Sequence, residues 1–520
     1  MINASTEYKA AIVGDSRRMY IKAQVHVVDP DIVYGEIGGM AQLSNVSRPA
    51  QLYDGETKDG TPYITFELNR WLLDGTFDAI ENLDADDEVG WVCGMPQDTS
   101  GEGEKYVDFS FSGVDVLNAC TVAFPDNDFD GYPVRLQVAI YSGDTQEYLA
   151  EINNNTKRSI TVTGFSVANP TKIRVVVKQW SLPVRRMRVT EIVAGVHDVW
   201  DESIIAEFSV VHQSNPSMTS LPYGTAEIVF DNTDHRFDPY NKAGLFESLE
   251  ERQGIDLFLG VGIDGKPEFK KLGVFYQYAD GWKIRSGLTI KWSLVDIIGL
   301  LSQRSYVVPN SAYNTLGAWV DNLIAQLGTN FSGFYELPAG YASLSLTTSV
   351  VNLKDTTCGQ VLMWLCQASG LWAIADPQNG KLRLMEIPTA GGNEITLANQ
   401  VSYPTIKANE DIARVEFTLA NGTYYSVAGN VDAARVITIR NPFIATTAQA
   451  DACAASIMLM YGGNSIETVG RGDPTDELGD IVTVETEQGD IDGRLIYADY
   501  KYKEGVLTSC VSKMIEVASE

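Results

Sequence analysis

The residue types that most often do chemistry are sparse in this sequence and poorly spaced for it. Its four histidines, His26, His197, His212 and His235, stand apart, and none has a cysteine, histidine or aspartate at ligand spacing. The six cysteines, Cys93, Cys120, Cys358, Cys366, Cys453 and Cys510, form neither a CxxC pair nor a zinc pattern. Most lie beside apolar residues, as in Met363-Trp364-Leu365-Cys366, where a free thiol packs as a small hydrophobe. That usage fits a reducing compartment. The nucleophile elbow GxSxG, the phosphate-binding P-loop and the zinc helix HExxH are all absent. A carboxylate pair for glycoside cleavage has no fixed sequence spacing and stays open among 68 acidic residues. The balance of these signals reads as a chain that is not an enzyme, with a glycoside hydrolase as the weakest rival.

Three short strings deserve a chemical reading. Asp126-Asn127-Asp128-Phe129-Asp130-Gly131 imitates the start of a calcium loop, with Asp126, Asp128 and Asp130 at its first, third and fifth places and glycine at the sixth. The twelfth place holds Gln137 where a bidentate glutamate belongs, so an acidic turn between strands is the plainer reading. Calcium is thus the one cofactor with any candidate ligands. Asp84-Ala85-Asp86-Asp87-Glu88 reads as a solvated loop. Arg471-Gly472-Asp473 spells an adhesion tripeptide, but Pro474 follows and a strand begins at Ile481, so turn chemistry explains it. Four aromatics, Trp91, Tyr141, Tyr148 and Trp180, fall in one β-rich segment. An aromatic face beside polar groups is how a protein surface holds sugar rings, and these four are the glycan-contact candidates, with core packing as the alternative.

The elements that must position them are mostly strands. Val134, Leu136, Val138 and Ile140 alternate with polar residues, and Ile173, Val175 and Val177 repeat the pattern, each predicting a half-buried strand. Ile21–Val28 reads as a strand with Ile32–Ile37 as its partner across the turn Asp29-Pro30-Asp31. Leu257, Leu259, Val261 and Ile263 share a face before the hairpin turn Asp264-Gly265, and Ile290, Trp292 and Leu294 share another. Helical spacing appears at Leu316, Trp319, Val320, Leu323 and Leu327. Capping signals precede two more helices, at Thr357–Gln360 and Thr446–Gln449. At 520 residues the chain exceeds one ordinary domain. The expected division is an N-terminal segment over 1–70, a β-sandwich over 71–195, a β-barrel over 196–305, a helical connector over 306–380 and an α+β domain over 381–520. The fold class is therefore mainly β with an α+β C-terminal part.

Composition narrows the partners. Thirty-nine basic and 68 acidic residues leave a net charge of −29, which disfavours specific nucleic-acid binding and docking on anionic bilayers. Such a surface stays soluble and suits a wall along which DNA slides without sticking. The N-terminus lacks the basic and apolar regions of a signal peptide, and no stretch reaches the length of a membrane span.

Longer blocks resemble a known family. Pro133–Tyr141, Lys172-Ile173-Arg174-Val175 and Trp180–Ile192, approached by Thr65–Gly75, resemble the jelly-roll module in tail proteins of phages that infect Gram-positive bacteria. Leu221-Pro222-Tyr223-Gly224, then Ile228–Pro239, then Leu272–Tyr276 resemble a recurring block of those proteins. Gly470–Pro474 through Gly479–Val482 is similar to the last domain of phage baseplate hubs. The resemblance implies a jelly-roll sandwich inserted among hub-type β-barrel domains. It implies a structural protein of the virion, at the tail tip or baseplate, assembled in the bacterial host cytoplasm. It further implies a homo-oligomer, commonly a trimer, closing the tail tube and meeting the distal tail protein, the tape-measure protein and other baseplate proteins. The sandwich would contact a host surface glycan, and an adhesin acting through the sandwich alone is the alternative. Hub proteins often continue into a fibre or wall-degrading domain, and the run ending at Glu520 carries neither expectation.

Overall fold

Alternating apolar and polar residues bury one face of an extended strand and leave the other wet, and this chain folds mainly as β-structure on that pattern. The computed structural model describes the chain apart from residues 1, 3, 15–16, 29–31, 54–62, 64, 66, 68–88, 128–129, 234, 236–237, 239–253, 264–265, 287, 329–330, 389–391, 409–410, 508–509 and 518–520. The turns expected at Asp29–Asp31 and Asp264-Gly265, the run Asp84–Glu88, and most of Thr65–Gly75 lie outside the described residues. The chain divides into two compact units. One comprises Met1–Ala23, Trp200–Thr233 and Gly254–Glu520; the other, Gln24–Val199 with Asp234–Gln253, interrupts it in sequence.

The interrupting unit is a β-sandwich. Its larger sheet runs in the order Val33–Gly39, Glu102–Ser112, Lys172–Trp180, Pro133–Ser142, Thr145–Ile152. A three-stranded sheet of Glu191–Val193, Cys120–Ala123 and Ser159–Val162 contributes to the same apolar core. Leu136, Val138, Ile140, Ile173, Val175 and Val177 all point into that core, as their alternation required. The partner of Val33–Gly39 differs from expectation. It pairs antiparallel with Glu102–Ser112, Ile37 opposite Phe109, rather than with the preceding strand. The reason is aromatic: Tyr34 stacks on Tyr53 at 4.7 Å and leans on Phe109 at 5.7 Å. Residues 33–53 therefore belong to the sandwich, and the expected break at residue 70 falls inside this unit.

In the other unit one long sheet runs Met19–Val28, Gly254–Ile263, Lys266–Ser286, Thr289–Val295, Thr225–Asp231, Ile205–Gln213, Ile491–Lys503, Cys510–Glu516, Ser465–Gly470, Gln400–Lys407. Ile205–Gln213 lies antiparallel to Ile491–Lys503, with Phe208 opposite Tyr502 and Val210 opposite Tyr500. Strands from the segment expected as a barrel (196–305) and from that expected as a C-terminal domain (381–520) thus share a single sheet. Such a pairing spans nearly the whole unit in sequence and leaves no local signal.

Among the described residues five α-helices accompany the strands: α1 (Thr6–Val13), α2 (Ile297–Gln303), α3 (Leu316–Ala325), α4 (Cys358–Ser369) and α5 (Thr447–Tyr461). In α3, Leu316, Trp319, Val320 and Leu323 are buried, as their spacing implied. Thr446 and Gln449 form the reciprocal capping box of α5. In α4, Thr357 caps through its side chain, and the left-handed Gly370 (φ 74°) ends the helix.

Asp296 caps α2 and does more. One carboxylate oxygen accepts from Gly299 N at 2.8 Å and the other from Gly224 N at 2.6 Å, tying the helix to the start of the Thr225–Asp231 strand. Burial outweighs these hydrogen bonds and pushes its carboxyl from 3.8 up to about 7. The folded state therefore holds this proton more tightly than the unfolded chain. The group's contribution to stability is full at acid pH and is lost as pH rises from about 4 to about 7. Asp296→Asn keeps a capping oxygen without a titrating group, so urea unfolding from pH 4 to 7 should show a flatter stability slope than wild type. An unchanged slope would exclude Asp296 as its source. Asp296→Ala should cost about 1–2 kcal/mol in the same measurement.

Candidate functional site

The four aromatics expected to touch glycans do not share a surface. Trp91 and Trp180 are each only 2% exposed. The Trp180 indole donates to the Asp130 carbonyl at 2.6 Å and meets Phe124 edge-on. Both are core residues, because a β-sandwich closes over its largest apolar side chains. Tyr148 stands opposite the buried Ile140, on the core side of the sheet, and stacks on Phe165 at 4.5 Å. Only Tyr141 lies on the outer face, partly exposed. There the Lys172 ammonium sits 4.2 Å from its ring centre, and Arg174 lies over both Tyr141 and Tyr106. Asp108 holds the Arg174 guanidinium through two hydrogen bonds of 2.6 and 2.7 Å. Tyr106 and Arg174 were not singled out from sequence, although alternation along Lys172–Trp180 already put Arg174 outward.

The calcium-like string is organised by guanidinium groups. Asp130 is buried, and its carboxylate accepts from Arg188 Nη1 at 2.6 Å and from Asn127 Nδ2 at 3.1 Å. Asp126 stays exposed, 3.5 Å from Arg158, whose guanidinium also donates to the carbonyls of Pro125 and Gly131. Asp128 lies outside the described residues. Gln137 sits in the Pro133–Ser142 strand, as expected. A cation here would have to displace Arg188 from a dry salt bridge, so Asp126 and Asp130 do not fit a calcium site.

The Arg471-Gly472-Asp473 string is likewise turned inward. Asp473 accepts from Thr475 N at 2.9 Å and Thr475 Oγ1 at 2.8 Å, an aspartate-closed turn. Asn393 Nδ2 donates to Asp476 at 2.7 Å and to Thr475 Oγ1 at 2.9 Å, and Tyr500 donates to the Asp473 carbonyl. Arg17 donates to the carbonyls of Ile12, Arg471 and Gly472, and Ile2 N reaches Thr475 O at 2.9 Å. Burial raises the carboxyls of both Asp473 and Asp476, and for Asp476 the nearby Asp473 adds to it. These groups clamp the N-terminal segment to the 471–480 loop.

Other reactive groups are equally quiet. All six cysteines are buried, and none is in a disulfide. Burial pushes the Cys120 and Cys453 thiols up to about 12, suppressing the thiolate that a nucleophile needs. Burial lowers His212 to about 4, so its imidazole is neutral at physiological pH.

One open feature of the large sheet is chemically distinctive. A groove of about 640 Å³ crosses its outer face, lined by Lys283, Lys291, Lys501 and Lys503 against Glu207 and Glu227. Lys283 and Lys291 stand directly opposite one another on adjacent strands. Lys291 pairs with Glu227 at 2.6 Å and Lys503 with Glu207 at 3.1 Å. Among the described residues Lys283 has no ion pair. Sequence reading passed these lysines over. Lys501-Tyr502-Lys503 announces an outward face, but only long-range pairing gathers four lysines from three strands.

The architecture can now be set beside known proteins. No family model matches the chain, and no curated protein matches it. Among solved structures it is similar to the tail protein from Neisseria meningitidis MC58, at 14% identity over 60% of this chain and 92% of that one, TM-score 0.43. It is similar to the 43 kDa tail protein of prophage MuSo2 from Shewanella oneidensis, at 14% identity over 61% and 95%, TM-score 0.40. A chain of the p2 virion baseplate in its activated conformation matches at 11% identity over 66% and 93%, TM-score 0.28. These neighbours are tail and baseplate proteins.

Arg188→Ala strands a buried carboxylate at Asp130, which should cost about 3–5 kcal/mol in chemical denaturation. Added calcium should leave the melting temperature of both wild type and variant unchanged. A calcium-dependent rise in either would restore the metal-site reading.

Proposed function

We propose that this chain is a structural protein of a tailed phage, placed at the tail tip or baseplate hub and working through interfaces rather than catalysis. The observation that supports this best is where the family-like blocks fall. Leu221–Gly224, Leu272–Tyr276 and the first part of the Ile228–Pro239 block, up to Thr233, which resemble a recurring block of phage tail proteins, lie in the unit that holds the long sheet, as does Gly470–Val482, which is similar to the last domain of baseplate hubs. Pro133–Tyr141, Lys172–Val175 and Trp180–Ile192, which resemble the tail jelly roll, all lie in the sandwich. Both units thus carry blocks of the resemblance. The quiet state of the thiols, of His212 and of the inward-turned aspartates supports a role without catalysis.

On this reading symmetric copies, three in the simplest case, close the end of the tail tube and meet the distal tail protein, the tape-measure protein and other baseplate proteins. The excess of acid along such a ring lets DNA pass without adhering. The sandwich, a jelly roll on this reading, faces the host or neighbouring tail proteins. Assembly takes place in the host cytoplasm, where buried thiols stay reduced.

Gold-labelled antibody against the chain, viewed on purified particles by electron microscopy, tests the placement. Label at the tail end remote from the capsid is expected; label elsewhere, or none on intact particles that contain the chain by mass spectrometry, refutes it. One observation favours a host-binding role for the sandwich: the outer cluster of Tyr106, Tyr141 and Arg174. Tyr106→Ala with Tyr141→Ala should lower the binding of the purified chain to host wall polymer about tenfold, leaving its far-ultraviolet circular dichroism unchanged. Wild-type binding by the double variant would remove the adhesin reading.

A further inference from the structure

The lysine groove is at odds with the rest of the molecule. The chain carries −29 net charge, yet the groove sets four lysines against two glutamates. Like charges directly opposite on neighbouring strands destabilise a sheet, and Lys283 faces Lys291 in that way. Glu227 answers Lys291, while Lys283 is exposed and has no ion pair among the described residues. Asp499 answers Lys501 and Glu207 answers Lys503, so among the described residues the groove is short of an anionic group at Lys283.

An acidic element of matching form exists in the same unit. The turn between the strands Ile481–Val484 and Ile491–Lys503 carries Glu487 and Asp490, both exposed and without ion pairs among the described residues. It is closed by Thr486 Oγ1 donating to the Gly489 carbonyl. This turn opens the Ile491–Lys503 strand, whereas Lys501 and Lys503 end it. At about 3.3 Å per residue the two sites stand roughly 30 Å apart. A copy cannot place its own turn in its own groove.

We propose that the lysine groove receives the Glu487–Asp490 turn of a second copy of this chain. The contact joins two different surfaces, so it is heterologous and propagates head to tail until a ring closes. It deepens the hub reading by naming the surfaces through which copies associate, but its test does not depend on where the protein sits in a particle. The carboxylates of the incoming turn would neutralise Lys283 and relieve its repulsion with Lys291.

Light scattering on the purified full-length chain tests this over a concentration series at low and high salt. Wild type should form a closed oligomer that dissociates as salt shortens the screening length from about 10 Å at 0.1 M to about 3 Å at 1 M. Lys283→Glu alone, and Glu487→Lys with Asp490→Lys, should each fall to the 57.0 kDa of the single chain. Mixed in equal amounts, the two variants should associate again, because in either pairing the side chain at position 283 then meets a turn of opposite sign. Near-ultraviolet circular dichroism of each variant, matching wild type, shows that the sheet is intact. A wild type that stays monomeric, variants that associate as wild type does, or a mixture that fails to reassociate overturns the proposal. So does a monomeric wild type that binds polyphosphate through Lys283, which would make the groove a phosphate site instead. Loss of tail labelling with this association intact would overturn only the placement in the virion.

Discussion

The antiparallel pairing of Ile205–Gln213 with Ile491–Lys503 is the constraint on which the larger unit depends. It joins the strands contributed by 200–295 to those contributed by 400–516, and without it the long sheet would be two separate pieces. The inward residues of this pair, Phe208, Val210, Tyr500 and Tyr502, are all buried. Its outward residues, Glu207, Ser209, Lys501 and Lys503, form the middle of the charged groove. One register thus sets both the core and the surface, since a slip of one residue would exchange the two faces.

Charged groups in this protein divide by burial. Those taken out of water are matched by a partner or by several hydrogen bonds: Arg188 with Asp130, Asp296 between two backbone amides, Asp473 with Thr475. Their energetic role is to hold loops and helix starts in place, where removing one partner would strand the other in a poor dielectric. The calcium-like string and the adhesion tripeptide are both instances. Each looked like chemistry because Asp, Asn and Gly are the residues of metal loops, and each proved structural because they are equally the residues of tight turns.

On the proposed reading, function rests on surface. The thiols and His212 are held in unreactive states by burial, while the outer faces of both sheets present charge and aromatic rings to solvent. On the sandwich, Arg174 between two tyrosines makes a flat amphipathic platform. On the long sheet, lysines gather on a chain that is otherwise strongly acidic. Proteins that act by assembling need such local exceptions, because like-charged copies otherwise repel.

Periodicity was sufficient for the elements. The strands at 133–142 and 172–180, the helix at 316–325, and the burial of Trp292, Leu257 and Leu259 all follow from period-two or helical spacing, which records solvent on one face and core on the other, while the helix at 447–461 was announced by its capping residues. Partnership was not legible. Nothing in Val33–Gly39 says that it joins Glu102–Ser112 rather than the strand before it, because pairing is decided by which apolar faces fit together across the fold. For the same reason Trp91 and Trp180, outward candidates by composition, went to the core, and Lys283, Lys291, Lys501 and Lys503, unremarkable singly, came together. Local sequence determined which way each side chain points from its own strand; only the tertiary structure decided what stands opposite, because strand pairs form between segments that the chain itself keeps far apart.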